Sequence, residues 1–259
     1  MTITDISNAE FDTRSEPWDD SEPIDTELID TELIDTELVD TEPMDTVELV
    51  AANITAAMPK DSWPFWFDGW PGEIEAAVLD AVFSARATYG TETTGVRKVV
   101  AAWRASRGTE LDNLDGFTRI DSEELVDALG NRQRVAGNYT TKAEAARLVA
   151  SALMEVGVHH ASDVDGSEAQ KAAFTSVAGV GQMSWECFLA VLDVVTPESE
   201  AMIAAFVRRA VAWEDVDVDA ELASAAALLD CSTTTLRHSI WRYQRKQARP
   251  RRMTQPLDD

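Results

Sequence analysis

Apolar and polar positions follow a helical spacing from about residue 63 onward and no regular spacing before it. Between Pro71 and Thr88, the residues Ile74, Val78, Ala81, Val82 and Ala85 fall on one face, which predicts a helix with Pro71 tolerated in its first turn. Gly95 to Ser106 repeats the pattern with Val96, Val99, Val100 and Trp103 inward. Ser122–Leu129 predicts a short helix stopped by Gly130, followed by a loop over Asn131–Thr140. Thr141-Lys-Ala-Glu144 has the form of a capping box and opens a helix to Val156, which Gly157 ends. Further helices are predicted over Ser167–Val177, Gln182–Val195, Pro197–Val211 with Thr196 as cap, Ala220–Leu229 and Thr233–Gln247. No stretch alternates with period two, so the expected fold class is all-α, with about ten helices.

Residues 1–62 read differently. Ile24-Asp-Thr-Glu-Leu28 recurs from Ile29 and from Ile34, and degenerate copies follow from Val39 and Met44. A period of five matches neither helix nor strand, and one coil of a pentapeptide β-helix lacks the stacked neighbours a solenoid needs. The segment carries 18 acidic and 2 basic residues, a net charge of −16. Such a composition predicts a disordered acidic tail over 1–62, dispensable for folding. The folded domain is then expected over 63–247, with a short tail at 248–259. Trp63, Phe65, Trp66, Phe67 and Trp70 mark its start, either as a lid packed on the domain or as a base-stacking platform.

The total charge of −25 is therefore concentrated outside the expected fold, since residues 63–259 carry only −9. Arg237, Arg242, Arg245, Lys246, Arg249, Arg251 and Arg252 form a basic run near the other end. The acidic tail has two candidate partners, this run or a basic protein. The sequence has no apolar run long enough for a membrane span, and Met1–Glu10 is unlike a secretory signal. Cys187 and Cys231 stand alone, and His159, His160 and His238 read as surface or helix-end residues. No metal site or cofactor is expected, and a monomer in a reducing cytoplasm is the simplest setting.

The chemistry-bearing stretch is Val177-Ala-Gly-Val-Gly-Gln-Met-Ser-Trp185, set between two predicted helices. Two glycines around a small apolar residue allow a tight turn and close approach of a partner. The next helix begins at once, so its free N–H groups at Gly179, Val180, Gly181, Gln182, Met183 and Ser184 are suited to a phosphate. This is how a helix-hairpin-helix grips a nucleic-acid backbone without reading bases. An ordinary helix–helix turn is the alternative reading of the same residues.

Three separated pieces, in order, resemble the helix-hairpin-helix DNA glycosylases of the endonuclease III type (the HhH-GPD superfamily). Phe83-Ser-Ala-Arg-Ala-Thr88 resembles that family's "LSAQATD" segment, Lys142-Ala-Glu144 its "SKAENI" helix, and Val177–Ser184 its "LPGVGRKT" hairpin. The resemblance spans about 71–211 and implies a two-lobed helical fold that binds duplex DNA. It places Glu200, or Glu198 if the register slips, where the family carries its catalytic aspartate. Arg86 stands where the family has a glutamine that fills the gap left by a flipped base. Met183 occupies the position of the lysine that forms a Schiff base in bifunctional members, so lyase chemistry by that route is excluded. With only Cys231 near the C-terminus, the iron–sulfur cluster of one branch is not expected.

Three functions stay open on these grounds. The first is a monofunctional glycosylase that excises a damaged or modified base from duplex DNA. The second is a catalytically inactive DNA-binding relative, and the third a protein-interaction module that works through its acidic tail.

Overall fold

Local capping sets where the helices start. The computed structural model describes residues 45–248. It contains eleven α-helices and one 3₁₀ turn, and the described residues hold no strand. In chain order the helices are α1 (Thr46–Ala57), α2 (Ile74–Phe83), α3 (Gly95–Arg107), α4 (Leu114–Thr118), α5 (Ser122–Leu129) and α6 (Lys142–Glu155). They continue as α7 (Glu168–Thr175), α8 (Gln182–Val191), α9 (Pro197–Val211), α10 (Val218–Leu228) and α11 (Thr233–Gln247). Asp121 caps α5, and Gly130 ends it in the left-handed conformation. Thr196 caps α9 through the Ser199 amide, with Pro197 in the first turn. At α6 half of the predicted capping box forms. Thr141 Oγ1 accepts from the Glu144 amide at 3.1 Å, but the Glu144 carboxylate turns to Arg147 and Ser122. None of the described helices is long and apolar enough to cross a membrane.

Two apolar cores organise these helices. The larger is built by α2 to α8 around α2, every residue of which is buried. The smaller is built by α1, α9, α10 and α11. From residue 45 the described part of the chain thus starts in the smaller lobe, crosses to the larger and returns to the smaller. The crossing is made by the aromatic segment. Trp63 belongs to the smaller core and Trp70 to the larger. Phe65 and Phe67 lie between, against Tyr89 and His238. These rings pack as a strap across the lobes, and two of them also face a cavity described below.

The boundary expected at residue 62 is corrected. Helix α1 lies inside the segment read as a tail, and it buries Val50, Ala51, Ile54 and Met58 against α9 and α10. The apolar residues at 50, 54 and 58 recur every four positions, the spacing of one helix face. Their burial outweighs the acidic composition around them. The pentapeptides from Ile24 to Glu42 lie outside the described residues. Helix α8 is shorter than predicted. It ends at Val191 because Asp193 turns left-handed (φ 60°) and the Val194 amide folds back to Leu189 O at 2.9 Å. Helices α1 and α4 were not predicted.

Candidate nucleic-acid interface

The turn between α7 and α8 is built from backbone requirements. Gly179 has φ +82°, and a Cβ there would lie 2.0 Å from Val135 Cγ1 in the loop before α6. Both the conformation and the contact exclude a side chain. The Val180 amide donates to Val177 O at 3.0 Å and its side chain is buried, which closes the turn. Gly181 is different. It is an extended N-cap (φ −124°, ψ −175°) with open space where a Cβ would stand. The amides of Ser184 and Trp185 are taken by Gly181 O, while those of Gln182 and Met183 precede them at the exposed start of α8. Gly179→Ala should cost about 1–2 kcal/mol for the left-handed backbone alone, and Gly181→Ala well under half of that. Urea unfolding of the two variants checks this, and equal losses would contradict it.

A cavity of about 460 Å³ opens beside this turn. Met183, Ser184 and Cys187 of α8 form one wall, and Ser84, Ala85 and Ala87 at the end of α2 form a second. Trp63 and Phe65 of the strap, with Trp241, Arg242, Arg245 and Lys246 of α11, complete the lining. It therefore lies between the two cores. Two of the three segments that carry the sequence resemblance line it directly. The third supports it: Lys142 is buried and its Nζ donates to Phe83 O and Ala85 O, both at 2.9 Å. That lysine holds the carbonyls that α2 leaves free at its C-terminus. Arg86, next along, is exposed in a left-handed conformation (φ 55°) and is not part of the lining.

Behind the cavity wall lies a buried polar cluster on Asp80 of α2. Its carboxylate accepts from Trp70 Nε1 (2.9 Å), Ser84 Oγ (3.0 Å) and the Tyr89 hydroxyl, and it pairs with Arg242 at 3.1 Å. Cys187 Sγ donates to it at 3.7 Å, and burial pushes that thiol up to about 12. Burial, followed by the charge of Asp80, also raises the Tyr89 hydroxyl well above its usual range. Arg242 passes a second bond from Nε to His238 Nε2 at 3.1 Å, and His238 Nδ1 donates to Phe67 O at 3.0 Å. The imidazole is thus a neutral tautomer in the middle of α11, which corrects its expected place at the surface. His159 and His160 are exposed, as expected.

Burial first, and the neighbouring Arg242 second, hold His238 down at about 3. The unfolded chain protonates this histidine below about 6.5. The unfolded state therefore binds the extra proton, and stability falls as pH drops from 6.5 toward 3, by up to about 1.4 kcal/mol per unit. His238→Gln keeps a donor and an acceptor without titrating. Urea midpoints between pH 7.5 and 5.5, where carboxylates stay ionised, should fall less in the variant. Equal slopes would contradict the assignment.

The acidic candidates do not reach this cavity. Glu200 is exposed in the first turn of α9 and is absent from its lining. Glu198 lines a neighbouring cavity of about 390 Å³, which shares Trp241 and Arg245 with the first. No lining residue of the larger cavity is acidic. The basic run is also partly consumed within the fold. Arg237 pairs with Asp219, Arg242 with Asp80 and Arg245 with Glu186, while Arg249, Arg251 and Arg252 lie outside the described residues. Sequence reasoning missed Asp80, Tyr89, Cys187 and Trp241. The one available signal was a lone acid inside the apolar run Ala76–Phe83.

Comparison with curated proteins and with solved structures gives no match. A family described as a domain of unknown function, DUF8548, matches residues 48–245. The match starts within α1 and runs into α11, so it takes in both cores and the cavity between them. The chain belongs to this DUF8548 family.

Proposed function

We propose that this protein binds duplex DNA, holding phosphate at the start of α8 and receiving an unstacked base in the cavity between its lobes. One observation carries the reading: of three segments far apart in sequence, each resembling a piece of a helix-hairpin-helix glycosylase, two line one cavity and the third anchors its wall through Lys142. The cavity's aromatic walls offer stacking surfaces, and a flipped base is read by such surfaces in enzymes that extrude it. Met183 and Ser184 line it from the first turn of α8, so a phosphate at that helix start would lie at its rim. Binding is placed ahead of base excision because Glu200 is exposed and outside the lining, and Asp80 is already committed to five donors.

Excision is the second reading, and it rests on Glu198. That carboxylate lines the second cavity, which shares Arg245 and Trp241 with the first. A carboxylate can stabilise a developing sugar cation or activate water. Free-base release from duplexes carrying damaged or modified bases, measured for the native chain, Glu198→Gln and Glu200→Gln, separates the readings. Release abolished only by Glu198→Gln establishes excision from that residue, while binding without release establishes the first reading. The third reading, a protein-interaction module, is separated by DNA affinity itself. Duplex binding should fall steeply with salt, as phosphate contacts require. Removing residues 1–43 should raise affinity at low salt and matter less at high salt, because a tethered acidic segment competes with phosphates.

A further inference from the structure

The cavity is lined by aromatic rings and by the cations that stand over them. Its body is aromatic, with Phe65 and Tyr89 rings 4.4 Å apart and Trp63 beside them at 5.0 Å from Phe65. Cations enter the same lining, because Arg242, Arg245 and Lys246 share one face of α11, Arg242 over Phe65 and Tyr89. Asp80 neutralises Arg242 from behind the wall and Glu186 pairs with Arg245. Lys246 has no carboxylate partner among the described residues, and its ammonium stands 5.3 Å from the Trp63 ring centre. Arg245 Nε is buried and has no acceptor. The N-terminal turn of α8 adds the positive end of a helix dipole at the same mouth.

A neutral aromatic ligand would fill the body and leave these donors unanswered in a site it has partly dried. Desolvating unpaired donors and a cation is costly. We infer that the cavity takes an aromatic heterocycle that carries its own anionic group, the ring against the packed wall that Trp63, Phe65 and Tyr89 form and the anion at Lys246 and Arg245. Two sources have this chemistry, a free mononucleotide or an extruded base bearing an anionic substituent. Only the second rests on the DNA-binding reading.

The full chain is titrated with deoxyuridine monophosphate, deoxyuridine and inorganic phosphate, followed by tryptophan fluorescence and calorimetry. It is also titrated with a duplex containing one 5-carboxycytosine and with the matching unmodified duplex. If the source is a free mononucleotide, the monophosphate binds about tenfold or more tighter than the nucleoside or phosphate alone. If the source is an extruded base, the carboxylated duplex gains a similar preference over the plain one. Lys246→Gln, an exposed position, should remove most of whichever preference is seen while circular dichroism is unchanged. Equal binding of nucleotide and nucleoside, or of nucleotide and inorganic phosphate, together with no preference between duplexes, overturns the inference. A preference that survives Lys246→Gln undiminished also overturns it. If neither duplex binds but the monophosphate is preferred, the DNA-binding reading fails and this inference stands.

Discussion

A chain that begins at Asp61 loses cooperative folding of its smaller lobe, whereas one that begins at Met44 keeps the thermal midpoint of the full chain. The difference is α1. Val50, Ile54 and Met58 have no exposed surface in the fold, and Ala51 is nearly as buried. Burying a side chain of the larger kinds is worth about 1.5–3 kcal/mol each, so losing the helix removes on the order of 5 kcal/mol or more. That equals or exceeds the stability of many domains, which lies at roughly 5–15 kcal/mol. Thr46 also donates to Glu221 at 2.8 Å, tying the start of α1 to α10. Thermal unfolding of the two truncations decides it. A shorter chain that unfolds like the full one would show that α9 to α11 close over the gap without α1.

Breaking the Asp80–Arg242 pair is the point substitution with the largest expected effect. Arg242→Met leaves a carboxylate buried with its hydroxyl, thiol and indole donors but no counter-charge. Asp80→Asn leaves the guanidinium beside neutral partners. Each should cost about 3–5 kcal/mol, the range for one member of a buried pair, or a fall of about 10 °C in Tm for a domain of this size. The double variant should cost less than the sum, because the two changes remove one shared interaction. Because Arg242 also lies over Phe65 and Tyr89, at 4.8 and 5.0 Å, the loss should loosen the strap that joins the lobes. Additive costs would mean that the pair holds nothing across the lobes.

Three helix ranges, Ser122–Leu129, Pro197–Val211 and Thr233–Gln247, were legible to the residue. A cap alone was not enough, since α4 with its Asn113 cap was missed and α10 begins at Val218 after Asp217, before the expected Ala220. Helix α1 was hidden because its short apolar face is interleaved with acidic residues like those of the preceding repeats. The turn at Gly179 was legible because two glycines within three residues demand an unusual backbone. Its contact with Val135 was not, since nothing local announces a partner 44 positions earlier. Asp80 advertised itself as an acid among apolar neighbours, yet its counter-charge lies 162 residues away. His238 looked like a helix-end residue because sequence gives no measure of depth. The candidate acid Glu200 came from register alone, and the fold places it in solvent.

The claim that phosphate is held at the start of α8 is tested most directly by Gly181→Asp. The position is an extended N-cap with free space around it, and aspartate is among the residues that favour such a site. The variant should therefore be as stable as the native chain or slightly more so. Its carboxylate would occupy the amides that a phosphate needs and repel the duplex. Fluorescence anisotropy with a labelled duplex at low salt should show affinity reduced by about tenfold or more, with the urea midpoint unchanged or raised. Undiminished affinity in a fully folded Gly181→Asp chain would contradict the account.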